Sequence, residues 1–296
     1  MKIIFEIYYH TRWGESLFLS GDIDELGANE DNRAVMMDYQ GDGLWKYTME
    51  LPASAKKFHY EYLVKSGEGI RREWGSPHSF SPGRNAGEYR LVDRWRDVPA
   101  DLPFYSSAFI QGIFFRQHAD SVVETIEPGT LTVKVDASQL RPDERLVMVG
   151  DCPELGDWDV LKAPLLNDSS FPEWQITLDG RQLKFPFEYK FVIVRTHQRE
   201  VVAWETGENR ICREKPQNPS EAVVVSGLRF NGSESQWRGA GTAIPVFSLR
   251  TDYGHRGVYR FEIFGRLGVK NRAVVYTVTP GERYDNVGYM ARLLSL

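Results

Sequence analysis

The sequence predicts an all-β protein made of two tandem immunoglobulin-like antiparallel β-sandwiches, and three observations carry that prediction. Short alternating runs such as Ile3 to Tyr9, Leu17 to Ser20, Leu44 to Leu51 and Phe58 to Val64 are punctuated by Gly, Pro, Asn and Asp, the pattern of half-buried strands joined by turns. A length of 296 residues exceeds one small module and leaves room for two cores. The third observation is repetition. SGDIDELG at 20–27 returns as VGDCPELG at 149–156, an offset of 129, and Trp45 returns as Trp174 after another 129. Tyr60-Glu61-Tyr62 is matched with Phe187-Glu188-Tyr189 after 127, and Trp74 with Trp204 after 130.

Taken in order, the repeat sets a first domain at 1–97, a connector at 98–128 and a second domain at 129–236. The connector holds PADLPFYSS and then the apolar AFIQGIFFR, which predicts a segment packed on one domain rather than a Gly/Ser tether. Composition narrows the function classes. Hydrophobic residues at 42% and charged residues at 26% describe a globular chain. A net charge of −5 without a basic stripe speaks against nucleic acid and anionic membranes as partners. The start, MKIIFEIYYHTRWGE, lacks the apolar stretch of a signal peptide. With Cys152 and Cys212 as the only cysteines, no disulfide framework is expected and a cytoplasmic setting fits. Neither Cys nor His has zinc-ligand spacing, so no metal site and no cofactor are expected.

The tryptophans divide by context. Trp45 and Trp174 lie in alternating strands (LWKYTMELP and EWQITLDG) and are expected in the cores. Trp158 and Trp204 lie in the polar turns LGDWDV and AWETGENR, where an indole lacks apolar neighbours on both sides. A pyranose offers an apolar face that stacks on Trp and a rim of hydroxyls that polar side chains bind. Lys190, Glu205 and Asn209 stand near the two turns and supply such groups, although each also fits the simpler role of capping a turn.

At these residues a family resemblance emerges. VGDCPELGDWDVLKAPLL, PEWQITL, FPFEYKFVIV and VVAWETGENR resemble the starch-binding domain of carbohydrate-binding module family 20 over Leu131 to Leu228. The resemblance implies a first glucan site in the second copy, flanked by Trp158 and Trp204, with Lys190 and Asn209 on the hydroxyls. The first copy resembles the same family over Lys2 to Arg96 but carries Asn29 in the place of the stacking Trp. By the offsets above, Leu63 is matched with Lys190 and Trp74 with Trp204, so its first site reads as weakened. The family's second site, built on the aromatic of a TxYGEN motif and a Tyr before the core Trp, maps to Trp13 and Tyr39 in the first copy. Trp13 also admits reading as a packed surface residue. The second copy has Pro142 and no matching Tyr, so the copies are expected to divide the two sites between them.

WRGAGTAIPVFSLR at 237–250 resembles the opening of the (β/α)8 catalytic barrel of 4-α-glucanotransferases of glycoside hydrolase family 77, in the disproportionating branch where tandem starch-binding domains precede the barrel. This makes 237–252 a barrel start and implies a retaining transfer of α-1,4-glucan chains in a longer parent. Beyond Asp252 the resemblance ends and the charge turns to +4 over residues 253–296, against −9 before them. Shifting each codon by one nucleotide permits GIGEFIDLKSLVDWASKTGQ from Gly254 and IQLLPVNDTT from Tyr276, strings that resemble the barrel's first strand and helix. Residues 253–296 are therefore expected to be an out-of-frame, largely disordered tail, with RAVVYTVTP able to mimic a strand. The expected partner is α-glucan: starch, glycogen or malto-oligosaccharides. No catalytic residue is expected within the chain. The alternative is a non-catalytic scaffold that brings a partner enzyme to glycogen.

Overall fold

Alternation of apolar and polar residues folds each copy into two facing sheets in the computed structural model. The structure describes residues 1–52, 54–83, 87–97, 105, 110, 125–138 and 140–232, and the backbone of 248–253, 259–267 and 270–278. Copy one runs β1 Lys2–Tyr8, β2 Ser16–Gly21, β3 Val35–Met36, β4 Asp38–Gly41, β5 Leu44–Glu50, β6 Phe58–Ser66, β7 Gly69–Arg72, β8 His78–Phe80 and β9 Glu88–Arg94. Copy two repeats this as β10 Thr130–Asp136, β11 Glu144–Gly150, β12 Asn167–Ser170, β13 Glu173–Asp179, β14 Phe187–Arg195, β15 Val201–Trp204, β16 Arg210–Cys212 and β17 Glu221–Arg229. Trp45 and Trp174 are buried in the two cores, 6% and 0% exposed. Each indole donates to a backbone carbonyl, Trp45 to Tyr9 at 3.0 Å and Trp174 to Ala137 at 2.9 Å, so burial strands no polar atom.

The sandwiches depart from the expected purely antiparallel pairing. β1 pairs with β9 in parallel, Lys2 opposite Glu88, and β10 pairs with β17 in parallel. The chain crosses to the opposite sheet between these strands and re-enters beside the residue where the first began. A further parallel ladder then joins the copies. β9 pairs with β17 from Glu88↔Glu221 to Val92↔Val225, producing one eight-stranded sheet in the order β12-β13-β10-β17-β9-β1-β5-β4.

The run Ala222 to Val225 records this arrangement. Ala222 and Val224 enter the core of copy one with Tyr89 and Leu91, whereas Val223 and Val225 enter that of copy two with Val92. Successive side chains of a strand point to opposite faces, so the sandwiches cover opposite faces of the shared sheet. A strand buried on both faces reads as a continuous apolar run.

Polar groups at the junction are paired. Asp93, 0% exposed, accepts from Tyr60 at 2.8 Å, Tyr62 at 2.7 Å and, across the junction, Ser226 at 2.5 Å. Within the connector, Ile110 is buried in the second copy's core. Tyr105 packs edge-on against Trp74, ring centroids 5.1 Å apart.

Past the second copy, β18 Ser248–Tyr253, β19 Tyr259–Leu267 and β20 Lys270–Val278 pair as a three-stranded antiparallel sheet. The backbone is thus paired where the sequence predicted disorder, and RAVVYTV falls within β20, its β-branched residues favouring extended backbone. Residues 237–247, most of the expected barrel start, lie outside the described residues.

Candidate functional site

The second copy builds its candidate site on the outer face of the sheet formed by β11, β14 and β15. Lys190, Val192 and Val194 alternate along β14 toward that face. Val192 and Val194 join Val147, Val149 and Ala163 in a small buried cluster on which Trp158 and Val160 rest. Trp158 is half-buried. Trp204 ends β15 opposite Val192 and is 42% exposed. The two indoles and Lys190 therefore share one face.

Local backbone explains how Trp158 is presented. A short 3-10 turn, Pro153–Leu155, ends at Gly156 with φ 82°, and Asp157 and Trp158 follow with φ 50° and 65°. The Trp158 amide then donates to the Gly150 carbonyl at 2.7 Å. Left-handed backbone costs a non-glycine residue roughly 1–2 kcal/mol, and Asn offsets part of that by local hydrogen bonding. Copy one is the internal control: Asn29 occupies the same slot, with φ 63° and its amide 2.7 Å from the Gly21 carbonyl. Copy two keeps the costlier Trp, and strain of this kind points toward a function for the side chain.

The polar candidates separate into two groups. Lys190 Nζ donates to the carbonyls of Glu205 at 3.2 Å and Gly207 at 2.6 Å, which fixes the ammonium beside Trp204. Asn209 is exposed, and its amide donates to Glu188 Oε2 at 2.8 Å. Glu205 lies elsewhere. It is 4% exposed and accepts from Arg210 Nε at 3.0 Å, Arg210 Nη2 at 2.5 Å and the Phe191 amide at 3.3 Å. Its carboxylate is consumed by the fold, so its placement among the hydroxyl ligands is corrected to that of a framework residue. Glu188, which orients Asn209, was missed by the sequence reading; its signal was its place two residues before Lys190 in FEYK.

Strand register also corrects the match between copies. Gly21 pairs with Tyr60 and Gly150 with Tyr189, which sets Tyr60 against Tyr189 and Glu61, not Leu63, against Lys190. Leu63 pairs with Arg72 where Val192 pairs with Trp204. Arg72 is thus the counterpart of Trp204. Trp74 lies two residues further, half-buried, between Tyr105 and the Arg229 guanidinium, 5.2 Å from its ring centroid. It is a junction residue, and copy one has neither Trp of this site. The Leu63 match misled because the similar triplets Tyr60-Glu61-Tyr62 and Phe187-Glu188-Tyr189 lie two residues out of register, and the Trp74 match because the turn after β14 is longer than that after β6.

The second candidate site belongs to copy one. Trp13 is fully exposed, 102% by relative area, at the tip of a turn closed by the Arg12 amide on Glu15 Oε2 at 2.8 Å. Copy two makes the same closure from Arg141 to Glu144 at 2.9 Å, which sets Pro142 opposite Trp13. Tyr39 is 56% exposed; it pairs with core Trp45 at 5.1 Å between centroids, and its hydroxyl accepts from the Gly43 amide at 3.2 Å. The Gly43 carbonyl in turn receives the Tyr9 amide at 2.7 Å. The Trp13 loop leaves β1 at this hairpin, so both aromatics stand at one end of the domain. The register-equivalent position of Tyr39 in copy two is Asp168, held near Arg145 at 3.8 Å.

Both cysteine thiols are buried, and desolvation pushes Cys152 up to about 11 and Cys212 up to about 12. Among the described residues, no group of three His, Cys, Asp or Glu is placed to hold a metal ion, and no helix is long and apolar enough to cross a membrane.

Comparison with known proteins bears on the same segments. The family described as "Starch binding domain" (CBM_20) matches residues 1–84 and 130–223. The chain is 28% identical over 275 residues to "4-alpha-glucanotransferase DPE2" of Oryza sativa subsp. japonica, covering 85% of this chain and 28% of that protein. It is 32% identical over 73 residues to "AA13 family lytic polysaccharide monooxygenase A" of Aspergillus terreus, covering 23% of this chain and 18% of that one. The chain therefore spans less than a third of the curated relatives it matches. Among solved structures, the family 20 module of the maltotetraose-forming amylase of Pseudomonas saccharophila aligns with 33% of this chain and 99% of its own, at 20% identity and a TM-score of 0.27. With one matched segment in each sandwich and more than half of the chain matched, the chain belongs to the starch binding domain family.

Proposed function

We propose that the pair of domains binds α-1,4-glucan through two separate sites, one kept in each copy. The observation that carries this is the shared face of copy two, where Trp158 is held in left-handed backbone and Trp204 stands exposed beside a tethered Lys190. Two indole faces stack on glucose rings, while Lys190 and Asn209 bind hydroxyls. In copy one, Trp13 and Tyr39 form the second platform. Each shallow site alone is weak, and two on one body raise retention on a polymer through effective concentration.

The test is calorimetric titration with maltoheptaose and β-cyclodextrin, together with pull-down on insoluble starch. Trp158→Ala and Trp204→Ala are each expected to cost more than about 1 kcal/mol of binding at unchanged melting temperature. Unaltered affinity in both variants would remove copy two's site from the account.

The longer protein we infer is a cytoplasmic 4-α-glucanotransferase of glycoside hydrolase family 77 that passes glucan chains between acceptors, with the present chain as its glucan-holding part. The resemblance at 237–250 and the similarity to the rice enzyme support this reading. The end of the resemblance at Asp252 and the turn of charge from −9 before Tyr253 to +4 after it support a change of reading frame near Tyr253. Sequencing the DNA between the codons of Leu249 and His255 tests it, and an intact frame overturns it. A disproportionation assay on maltotriose is expected to show no turnover by this chain.

A further inference from the structure

We infer that Arg199 is the positioning residue that holds the Trp158 loop in its glucan-stacking posture, an inference that rests on the reading of copy two's site given above. The loop from Asp157 to Ala163 needs such a support. Trp158 and Val160 lean on the valine face and Ala163 is fully buried, but the middle of the loop is not anchored by burial: Leu161 is 66% exposed. Its carbonyls are taken by one guanidinium nitrogen. Arg199 Nη1 donates to Ala163 O at 2.6 Å and Leu161 O at 2.9 Å, and lies 3.4 Å from Val160 O. Arg199 itself has φ 51°, and its amide donates to Arg195 O at 2.9 Å in the turn between β14 and β15. A charged donor shared among neutral carbonyls makes a stronger tie than an amide would.

Copy one shows why the support comes from this turn. Its equivalent loop is held at Asp31, whose carbonyl accepts from Lys65 and whose carboxylate pairs with Arg72. In copy two the register places Val194 at the position of Lys65 and Trp204 at that of Arg72. Both supporting cations have been replaced, one of them by the stacking indole itself. The turn that joins Ser66 to Gly69 in copy one is lengthened between Arg195 and Val201 in copy two, and Arg199 reaches across from it. Gaining the second Trp and moving the support to Arg199 are thus two sides of one rearrangement. Because Arg199 acts on the loop backbone, it is not itself a glucan ligand.

The experiment is a double-mutant cycle on the whole chain, read by maltoheptaose titration and by the intrinsic fluorescence of Trp158, obtained as the difference from Trp158→Ala. Arg199→Ala is expected to weaken binding about tenfold, with Arg199→Lys restoring part of it, since the two short charged hydrogen bonds to Ala163 O and Leu161 O become one flexible contact. In the Trp158→Ala background the same substitution is expected to change affinity less than about twofold, because positioning matters only when the positioned ring is present. The Trp158 emission is expected to shift red without ligand. An equal loss from Arg199→Ala with and without Trp158 would overturn the positioning role, as would unchanged affinity beside a wild-type response to Trp158→Ala. Failure of the wild-type chain and Trp158→Ala to differ would instead overturn the reading of the site, and this inference with it.

Discussion

At the scale of single residues, two carboxylates that look alike in sequence illustrate how burial and partners assign roles. Glu73 and Glu205 each sit one residue from a tryptophan, and each accepts a strand amide, Tyr62 to Glu73 at 3.1 Å and Phe191 to Glu205 at 3.3 Å. Both are framework groups. Burial alone would raise Glu73, but His78 and Arg96 outweigh it and hold its carboxyl down at about 2. A depressed carboxyl contributes stability that is fully present above its unfolded value near 4.5 and is lost as pH falls through about 2. Glu73→Gln is therefore expected to destabilise by about 3 kcal/mol at pH 7, leaving Arg96 buried without its carboxylate. That penalty should shrink steadily below pH 4.5; urea unfolding at neutral and acid pH measures it, and a penalty constant with pH would contradict the assignment. Because it would leave Arg210 buried without its carboxylate partner, Glu205→Gln is expected to be a folding defect, visible in melting temperature before it is visible in glucan titration.

The element scale explains why copy one does not duplicate copy two's site. Its Asn29 turn is superimposable in hydrogen bonding on the Trp158 turn, yet the strand that presents Trp204 in copy two presents Arg72 in copy one. Asn29→Trp alone is expected to add no measurable maltoheptaose binding, because a single indole on that face lacks its opposite wall. Combining it with Arg72→Trp removes one of the two cations that hold Asp31, so the double variant is expected to bind weakly and to melt lower. Stronger binding by the single variant would show that register is not the limit. The turns themselves were legible in sequence. SGDIDELG and VGDCPELG marked the repeat, and Gly and short polar residues marked LGDWDV as a turn. The pairing register was not: similar triplets in β6 and β14 lie two residues out of step, and an insertion in the hairpin after β14 shifts the match for everything downstream.

For the whole molecule, the parallel ladder between β9 and β17 changes what kind of object the tandem is. Each sandwich contributes a closing strand to a sheet whose opposite faces carry the two cores, and Ser226 of one copy is bonded to Asp93 and His78 of the other. The two copies are expected to unfold in one calorimetric transition. Val225→Asp, on β17, should lower the melting of both copies together, costing about 3 kcal/mol or more for an unpaired charge in a core. Two separate transitions, with only the second displaced, would indicate independent domains. The two proposed glucan sites, if carried on a common body, keep a fixed separation, which suits gripping a long polymer better than enclosing one short oligosaccharide.

Sequence by itself determined the all-β class, the twofold repeat, the burial of Trp45 and Trp174, the exposure of Trp204, and the family. These follow from periodicity, turn chemistry and short motifs, all of which are local in the chain. Tertiary structure decided which residues face one another. It moved Trp74 from a glucan face to the domain junction, put the Glu205 carboxylate inside a salt bridge and brought Arg199 to the Trp158 loop. It also fused two sandwiches that the repeat presented as separate. A strand's hydrogen-bonding edges carry no side-chain signature of their partner, so pairing between distant strands is set by the shape and burial of the assembled cores rather than by any residue read alone.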